Sequence, residues 1–261
     1  QISRQLGDGK LLSKLTKKTV VYNFRQNDLK NGGQGAPLTP IFHSILVKQK
    51  KIPLPVVILN IGGITNYTFI DEKGVSSGLD LGPGNCLIDQ WVRLNSKKKY
   101  DENGRIAKSG KIKKIILNKA LKNFKKKKLI KSSFDVKDFD ISFVRGLSLE
   151  DGAATLTEYT SEILYEYLID PEGGTWESTI IAGGGRKNKF LIKSIEYKIK
   201  SLGTLNSPLK LIDDYGVDGD FIESQAFAYL AIRSYLNLPI SFPETTGVRE
   251  PCNGGTIVKN F

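Results

Sequence analysis

Residues 56–85 read VVILNIGGITNYTFIDEKGVSSGLDLGPGN, and this stretch carries the pattern that decides the fold. Residues 56–60 form a short, largely apolar run, which is typical of a buried strand. Polar and apolar side chains then alternate along residues 64–70, and residues 71–74 have the composition of a turn before a further strand. Gly82-Pro83-Gly84 ends that strand. We therefore predict three consecutive antiparallel strands.

Helices follow glycine turns at two places in the sequence. Residues 85–94 have apolar side chains at helical spacing, and so do residues 188–200, which come after a buried strand at 180–182 and the turn Gly183-Gly184-Gly185. The side chains predicted to face inward are Leu87, Ile88, Trp91 and Leu94 in the first helix, and Leu191, Ile192, Ile195 and Ile199 in the second. The order strand, glycine turn, helix therefore occurs twice.

Two longer helices are also predicted. Residues 148–151 read SLED, which resembles a capping box, and an apolar stripe follows. The stripe consists of Leu156, Tyr159, Ile163, Leu164, Tyr167 and Leu168. The other helix is expected over residues 219–236, stopped by Pro239, with Phe221, Phe227, Leu230 and Ala231 facing inward. Strands followed by alternating strands and helices indicate an α/β architecture.

The composition is that of an ordinary globular protein. The chain has 261 residues, 39% of them hydrophobic, with no apolar run long enough to span a membrane and no signal-peptide pattern at its start. Cys86 and Cys252 lie outside any CxxC pair, so neither a disulfide framework nor a metal site is predicted. The one histidine, His43, is expected to be a packed or surface imidazole. We predict a cytoplasmic location.

The formal net charge of +12 is concentrated in the lysine-rich residues 97–137. Such a segment raises the hypothesis of nucleic-acid binding. The lysine run at 125–128 has no interleaved aromatic or arginine side chains for stacking and bidentate phosphate contacts, so we favour a solvated face. The segment is also the one plausible linker in the chain. We expect no nucleic-acid partner and no membrane.

Three glycine-bearing turns follow predicted strands, at residues 60–66, 80–85 and 183–188. Glycine lets the backbone approach phosphate oxygens closely, and a following helix N-terminus adds partial positive charge. Since neither a Walker nor a Rossmann pattern is present, a nucleotide would be held by separated loops. The candidate nucleotide contacts are Asn60, Gly62, Gly63, Asn66, Gly82, Gly84, Asn85, Gly183, Gly184, Gly185 and Asn188. Each turn alone is also compatible with a structural role.

Segments spread over the whole chain occur together in the order found in one family. They read NFRQNDLKNGGQGAPLTPIFH (23–43), VILNIGGITNYT (57–68), LDLGPGNCLIDQW (79–91), YDENGRIAKSG (100–110), IIAGGGRKN (180–188), and IESQAFAYLA (222–231) with TTGVREP (245–251). Jointly they resemble the anhydro-N-acetylmuramic acid kinase family of the actin-like ATPase superfamily.

The resemblance implies an actin-like ATPase (ribonuclease H-like) α/β fold, with two domains around a nucleotide cleft. On this basis residues 1–50 would be a remnant of the first domain, residues 51–238 the second domain, and residues 239–261 a tail returning towards the first. Family members begin with a glycine-, serine- and threonine-rich loop containing an aspartate, and residues 5–9 are not that loop. We therefore expect an N-terminally truncated chain with an incomplete first domain.

The resemblance also implies a reaction. Enzymes of this family open the 1,6-anhydro bridge of anhydro-N-acetylmuramic acid with water and transfer the γ-phosphoryl group of ATP to O6. The implied cofactors are ATP and Mg²⁺, without a dedicated protein metal site. By motif position Asp80 is the candidate general base, and Glu223 would orient the sugar or the water. From residue chemistry alone, Asp80 could equally cap a turn, and Glu223 could be an acidic residue favoured in a first helical turn.

Arg25, Asp28 and Gln34 are the candidate substrate contacts, because arginine pairs with a carboxylate and aspartate accepts hydrogen bonds from hydroxyl groups. A surface ion pair is an equal alternative for Arg25 and Asp28. Two other functions stay open: another actin-like sugar kinase, and an inactive fragment that lacks the first phosphate loop. The expected partners are an amino sugar, ATP and a second copy of the chain in a homodimer.

Overall fold

The structure is a computed structural model, and it describes residues 3, 5–128, 134–169, 176–201 and 209–261. Its contacts group into two compact units. The first comprises Gln1–Ile52, Ile70–Leu79 and Phe221–Phe261, and the second comprises Pro53–Phe69 and Asp80–Asp220. Part of the lysine-rich segment, residues 129–133, lies outside the described residues.

The strands, in chain order, are β1 (Val20–Tyr22), β2 (Val56–Ile61), β3 (Ile64–Ile70), β4 (Ser76–Pro83), β5 (Ser178–Ala182), β6 (Leu209–Leu211) and β7 (Thr256–Val258). The α-helices are α1 (Gly9–Thr16), α2 (Gln26–Lys30), α3 (Pro40–Gln49), α4 (Cys86–Asn95), α5 (Arg105–Ser109), α6 (Lys114–Lys128), α7 (Leu149–Ile169), α8 (Lys189–Ser201), α9 (Ile222–Tyr235) and α10 (Pro243–Thr246). Short 3₁₀ turns occupy Glu102–Gly104, Val136–Asp138, Ser142–Val144, Gly184–Lys187 and Ile212–Tyr215.

A five-stranded sheet, in the order β4-β3-β2-β5-β6, organises the longer part of the chain. The connection between β2 and β3 is two residues long, so these strands form the antiparallel hairpin predicted from the sequence. β5 then pairs with β2 in parallel, and β6 pairs with β5 in parallel. If β2 is numbered as strand 1 of this sheet, the order across the sheet is 3-2-1-4-5. This is the strand order of the ribonuclease H-like sheet in the expected actin-like fold.

Burial explains why β2 is the centre of this sheet. Every residue of β2 and of β5 is buried, since helices cover the sheet as they do in other parallel sheets. The predicted helix stripe lies on α7, where Leu156, Ile163, Leu164 and Leu168 have no exposed surface. The Ser148 hydroxyl accepts a hydrogen bond from the Asp151 amide at 3.1 Å, as expected at a helix N-terminus.

The prediction of an inward-facing side chain was wrong for two residues, Leu94 and Phe221. The buried face of α4 runs through Ile88, Trp91 and Val92, and Leu94 lies beyond its edge with 68% of its surface exposed. Phe221 is 57% exposed because it occupies the N-cap position of α9, before the helical periodicity begins. On α9 itself, Leu230 is fully buried, as predicted.

Helix α9 belongs to the first unit. Its residues Leu230, Phe227 and Ala231 pack with Phe24, Leu38 and Ile240 in one apolar cluster. β1 and β7 form an antiparallel pair beside it, from Val20↔Val258 to Tyr22↔Thr256. The contact grouping therefore differs from the expected domain division at residue 238, because the apolar face of α9 is covered by residues near both ends of the chain.

The lysine-rich segment is not a linker in its described part. Leu117, Ala120 and Phe124 on α6 are buried in the core cluster of the second unit. The lysines 119, 122, 125 and 126 on the same helix are exposed, as expected of a solvated face. Among the described ranges, no helix has the length and apolar character needed to cross a membrane.

Burial determines the protonation state of His43 and of one of the two cysteines. His43 is 1% exposed, and burial lowers the pKa of its imidazole to about 4, so the ring is neutral at physiological pH. Cys86 and Cys252 are both free thiols, and burial raises the pKa of Cys86 to about 11. Of the two predicted alternatives, a packed or a surface imidazole, His43 is the packed one.

Replacing Leu156 with alanine tests the packing of α7. The side chain is fully buried in the core cluster, so we expect the Leu156→Ala variant to lose about 2–5 kcal/mol of unfolding free energy. Chemical denaturation measures the loss. Ile115→Ala on α6 is the control, because Ile115 is 87% exposed, and it should change the unfolding free energy by less than about 0.5 kcal/mol. Equal losses in the two variants would contradict this packing.

Candidate active site

The first two glycine turns are joined by backbone hydrogen bonds. The Gly84 amide donates to the Gly63 carbonyl at 2.9 Å, and the Asn85 amide donates to the Gly62 carbonyl at 2.8 Å. A Cβ at Gly84 would lie 2.4 Å from the Gly62 carbonyl oxygen, so only glycine permits this contact. The turn after β2 and the turn after β4 therefore form one rigid body, from which α4 begins.

The third glycine turn lies against the end of β2 because β5 pairs with β2 up to Asn60↔Ala182. Gly183 has a φ of +76°, and a Cβ at Gly185 would lie 2.3 Å from Cγ2 of Ile61. Gly184 differs from both neighbours: it is exposed, and a Cβ there would meet no atom within 4 Å. The triple glycine thus combines two tightly packed positions with one that faces open space.

A cavity of about 270 Å³ lies where the second and third glycine turns meet. Three predicted nucleotide contacts, Asn85, Gly184 and Asn188, are in its wall. The other residues of the wall are Ile88, Asp89, Tyr100, Asp101, Asn103, Lys187 and Asp220. Asn60, Gly62, Gly63, Asn66, Gly82, Gly84, Gly183 and Gly185 do not line it, although they belong to the turns that shape it.

Arg186 fixes the third glycine turn to the chain segment before α9. The guanidinium is buried, donates two hydrogen bonds to Asp213 at 2.6 and 3.1 Å, and donates others to Asp220 at 2.8 Å and to the Gly183 carbonyl at 3.0 Å. Hydrogen bonding to Arg186 lowers the pKa of Asp213, and the neighbouring Lys187 ammonium and Arg186 lower that of Asp220. This network holds the cavity wall in place.

Two further carboxylates lie in the same wall. Asp101 accepts hydrogen bonds from the amides of Ile106 and Ala107 at 2.8 and 2.9 Å, which order the start of α5. Burial raises the pKa of Asp89 from 3.8 to about 6, with a smaller contribution from the charge of Asp101 and an opposing one from Arg93. The part of the chain that the structure describes contains no group of three or more metal-binding side chains.

Asp80 is buried within β4, three residues before the strand ends at Pro83, with 8% of its surface exposed. The sequence placed it at a strand end, but the strand continues through Pro83. Its Oδ2 accepts a hydrogen bond from the Phe134 amide at 3.2 Å. The Phe134 ring packs against Phe124 and Phe139 at centroid distances of 5.8 and 5.4 Å. An aromatic cluster therefore supports the backbone that binds this carboxylate, and Asp80 does not line the 270 Å³ cavity.

The predicted substrate contacts come together in a loop of the first unit. Asp28 is 1% exposed; it accepts hydrogen bonds from the Gly35 amide at 2.6 Å and the Thr246 hydroxyl at 2.5 Å. The Arg25 guanidinium donates a hydrogen bond to the Gly35 carbonyl, and the backbone amide of Gln34 donates one to the Thr246 carbonyl at 2.8 Å. Arg25 is half-buried and Asp28 is buried, and both bind the backbone of the loop at Gly35.

Glu223 lies in the first turn of α9 and is exposed. It belongs to the first unit together with Arg25, Asp28 and Gln34, whereas Asp80 and all three glycine turns belong to the second. The predicted site residues thus form two groups, each ordered within its own unit.

Sequence reasoning missed all four charged side chains of the cavity wall: Asp89, Asp101, Lys187 and Asp220. Three of them lie within the segments LDLGPGNCLIDQW, YDENGRIAKSG and IIAGGGRKN, so their position in these segments was a usable signal. The acidic residues around 213–220 were not singled out, because only the fold brings them to Arg186.

The ribonuclease H-like sheet and the glycine-walled cavity at the ends of β4 and β5 define an α/β protein of the actin-like ATPase class. The sequence profile of the family described as Anhydro-N-acetylmuramic acid kinase matches residues 1–260. The chain belongs to this family.

Individual relatives agree with the profile. An anhydro-N-acetylmuramic acid kinase of Pelagibacter ubique (strain HTCC1062) is 54% identical over 270 residues, covering 100% of this chain and 70% of the relative. The enzyme of that name from Zymomonas mobilis subsp. mobilis is 42% identical, covering 97% of this chain and 67% of the relative. A solved activator of 2-hydroxyisocaproyl-CoA dehydratase from Clostridium difficile, with bound ADPNP, covers 75% of this chain and 68% of its own at 14% identity and a TM-score of 0.43.

The raised pKa of Asp89 predicts a pH-dependent effect of the Asp89→Asn substitution. Because the folded-state pKa of about 6 lies above the usual 3.8, ionisation of Asp89 costs folding free energy above pH 6 and costs none below pH 4. We expect Asp89→Asn to stabilise the protein at pH 8 and to have little effect at pH 4, measured by chemical denaturation at both values.

Asp213→Asn provides a contrast of opposite sign. The pKa of Asp213 is lowered by Arg186, so its stabilising contribution is present above pH 4 and is lost as the pH falls through the lowered pKa. The Asp213→Asn variant should therefore be less stable than the unmodified protein at pH 8. An Asp89→Asn effect that is identical at pH 4 and pH 8 would contradict the first expectation.

Proposed function

We propose that this protein uses ATP to convert 1,6-anhydro-N-acetylmuramic acid into N-acetylmuramic acid 6-phosphate, opening the anhydro bridge with water and phosphorylating O6. This reaction belongs to peptidoglycan recycling and amino sugar catabolism. The observation that carries the proposal is a buried carboxylate, Asp80, on the strand that leads into the glycine turn at the cavity, in a chain of the anhydro-N-acetylmuramic acid kinase family.

The cavity at Gly184 fits part of a nucleotide. Its volume of about 270 Å³ is close to the lower end of the range for ligand pockets, about 300 Å³. Gly184 has open space where other residues carry a side chain, so a planar base or a ribose can approach the backbone there. Asn85 and Asn188 supply polar groups, and α8 presents its N-terminus immediately after Asn188. We assign ATP to this place on these grounds.

Bound ATP and Mg²⁺ would supply the transferable phosphoryl group and the positive charge that stabilises its transfer. Magnesium usually keeps several water ligands, so the lack of a carboxylate cage among the described residues is compatible with its use. Asp89 is the carboxylate of the cavity wall that would bind a magnesium-coordinated water, because both oxygens of Asp101 already accept backbone hydrogen bonds and Asp220 is paired with Arg186 and Lys187.

Asp80 would act as the general base. Its carboxylate would accept the proton of the water that attacks the anomeric carbon, and the bond between this carbon and the bridging oxygen would break. The hydrogen bond from the Phe134 amide restricts the orientation of the carboxylate, which suits a base that must hold one water in line. The released oxygen is O6, the acceptor of the phosphoryl group.

Arg25, Asp28 and Gln34 would contribute to sugar binding as one ordered loop. Since both Asp28 oxygens accept hydrogen bonds from within the first unit, Asp28 would act mainly by shaping the loop. Arg25 would pair with the lactyl carboxylate through the guanidinium nitrogens that do not bind Gly35. Glu223, exposed on α9, would orient the sugar or the water. The proposal includes a cytoplasmic location, where ATP is available, and a homodimer that light scattering would detect.

The first test follows oxygen from water into the product. Protein from the complete reading frame is supplied with ATP, Mg²⁺ and 1,6-anhydro-N-acetylmuramic acid in oxygen-18 water, and the sugar phosphate is weighed by mass spectrometry. We expect one heavy oxygen at the anomeric carbon. Asp80→Asn should lower the rate by about 10²–10⁴-fold without changing nucleotide affinity, whereas Glu166→Gln, at a surface ion pair with Lys125, should leave it unchanged.

Other outcomes identify the alternatives. Product without the heavy oxygen would indicate an ordinary sugar kinase that phosphorylates a free hydroxyl group. Full activity of Asp80→Asn would exclude Asp80 as the base. No turnover with any sugar, in protein that binds ATP, would favour an inactive member of the family.

A pair of glycine variants tests the nucleotide site separately. In Gly184→Val the new side chain enters open space at the cavity, so we expect ATP affinity to fall by about tenfold or more, or about 1.4 kcal/mol, at an unchanged melting temperature. In Gly185→Val the new side chain would collide with Ile61, so the melting temperature should fall. Isothermal titration calorimetry and thermal unfolding measure the two effects. If the ATP affinity of Gly184→Val is unchanged, ATP does not bind in this cavity.

A further inference from the structure

A second and larger cavity, of about 640 Å³, lies in the same unit beside the one at Gly184. Helices α5 and α8 provide most of its wall, through Arg105 and Lys108 on the first helix and Lys189, Phe190 and Lys193 on the second. Its volume falls within the range of about 300–1,000 Å³ that is typical of small-molecule sites. None of the residues with a proposed role in the reaction lines it.

Four cations face this cavity without a compensating carboxylate. Arg105 and Lys108 are three residues apart on α5, and Lys189 and Lys193 are four apart on α8, so each pair shares one helix face. Within the described part of the chain none of the four forms an ion pair. Like charges gathered in this way repel one another, and an anion between the helices would relieve the repulsion.

Glu158, the acidic residue in the cavity wall, is already paired with other side chains. Glu158 binds the Lys198 ammonium at 2.6 Å and accepts a hydrogen bond from the Ser194 hydroxyl at 2.7 Å. Lys198 also binds Glu162 at 2.5 Å. Lys198, Glu158 and Glu162 together carry a net charge of −1. The four cations Arg105, Lys108, Lys189 and Lys193 exceed this charge, so the wall of the cavity keeps an excess of positive charge.

The wall also has an apolar part. Ile112 and Phe190 are half-buried, and the Tyr197 ring is 76% exposed. Aromatic and aliphatic surfaces pack against the faces of rings, which an inorganic ion does not possess. The combination of an apolar surface with two pairs of cations fits an organic molecule that has anionic groups at two positions.

We propose that this cavity binds a small organic phosphate that carries a second anionic group on a ring. The product of the proposed reaction, N-acetylmuramic acid 6-phosphate, has this chemistry, with a phosphate on O6 and a lactyl carboxylate. The choice of this compound rests on the proposed function. The site would be separate from the one at which the reaction occurs, so the product would regulate the enzyme from it.

A shared wall connects the two cavities. Asn103 lines both, and the next residue, Gly104, has a φ of +69°. A Cβ at Gly104 would lie 2.2 Å from Oδ1 of Asn188, in the smaller cavity, and 2.6 Å from Cβ of Phe190, in the larger one. Asn188 and Phe190 flank the start of α8, where Asn188 Oδ1 accepts the Leu191 amide hydrogen bond at 3.0 Å. A ligand that moves the start of α8 therefore changes both cavities, and the coupling is reciprocal.

Calorimetric titration with N-acetylmuramic acid 6-phosphate tests the site directly. Protein from the complete reading frame is titrated with and without a saturating non-hydrolysable ATP analogue. We expect two binding events in the unmodified protein, and the loss of one of them, by tenfold or more in affinity, in the double variant Lys189→Gln with Lys193→Gln. The control is Lys114→Gln with Lys122→Gln on α6, where both side chains are exposed and line neither cavity; it should retain both events.

The remaining outcomes are decisive. An unchanged titration of the Lys189/Lys193 variant would overturn the proposal, and so would inorganic phosphate binding as tightly as the sugar phosphate. Persistence of the lysine-dependent event in a protein that shows no turnover would support the site while contradicting the proposed function. In the unmodified protein the sugar phosphate should change the affinity for the ATP analogue several-fold, and the Lys189/Lys193 variant should lose this effect. If the unmodified protein binds the ATP analogue equally well with and without the sugar phosphate, the two cavities are not coupled.

Discussion

The parallel pairing of β2 with β5 is the constraint on which the rest of the second unit depends. It joins residues 56–60 to residues 178–182, which are separated in sequence by more than a hundred positions. Both strands are wholly buried, and their register runs from Val56↔Ser178 to Asn60↔Ala182. This register places Gly183 and Gly185 against Ile61 and creates the cavity beside Gly184.

The sequence predicted the parts of this arrangement that local patterns determine. A short apolar run located β2, and alternation and turn residues located β3 and β4. Helical spacing located α4, α7, α8 and α9, because each pattern lies within a few residues. The glycine turns suggested Asn85, Gly184 and Asn188 as contacts of one nucleotide, and these three residues line one cavity. The edges of apolar faces were less predictable: Leu94 and Phe221 continue a pattern but lie outside the packed surface.

Such local patterns could not predict polar pairs between residues far apart in the sequence. Arg186 meets Asp213 and Asp220, which are 27 and 34 residues away, and no spacing rule relates a buried arginine to these partners. The raised pKa of Asp89 likewise depends on burial and on Asp101, a residue of another turn. Family likeness suggested a substrate role for Asp28, but only the folded structure shows that its two oxygens accept hydrogen bonds from the Gly35 amide and the Thr246 hydroxyl.

Helix α6 shows how the chain carries so many lysines without disturbing its interior. Leu117, Ala120 and Phe124 anchor one face, while the opposite face meets water and makes few specific contacts. Substitutions on that outer face are nearly neutral for stability, so the fold places little constraint on which polar residues stand there. The exposed lysines of α6 therefore add to the net charge of the protein without taking part in its packing.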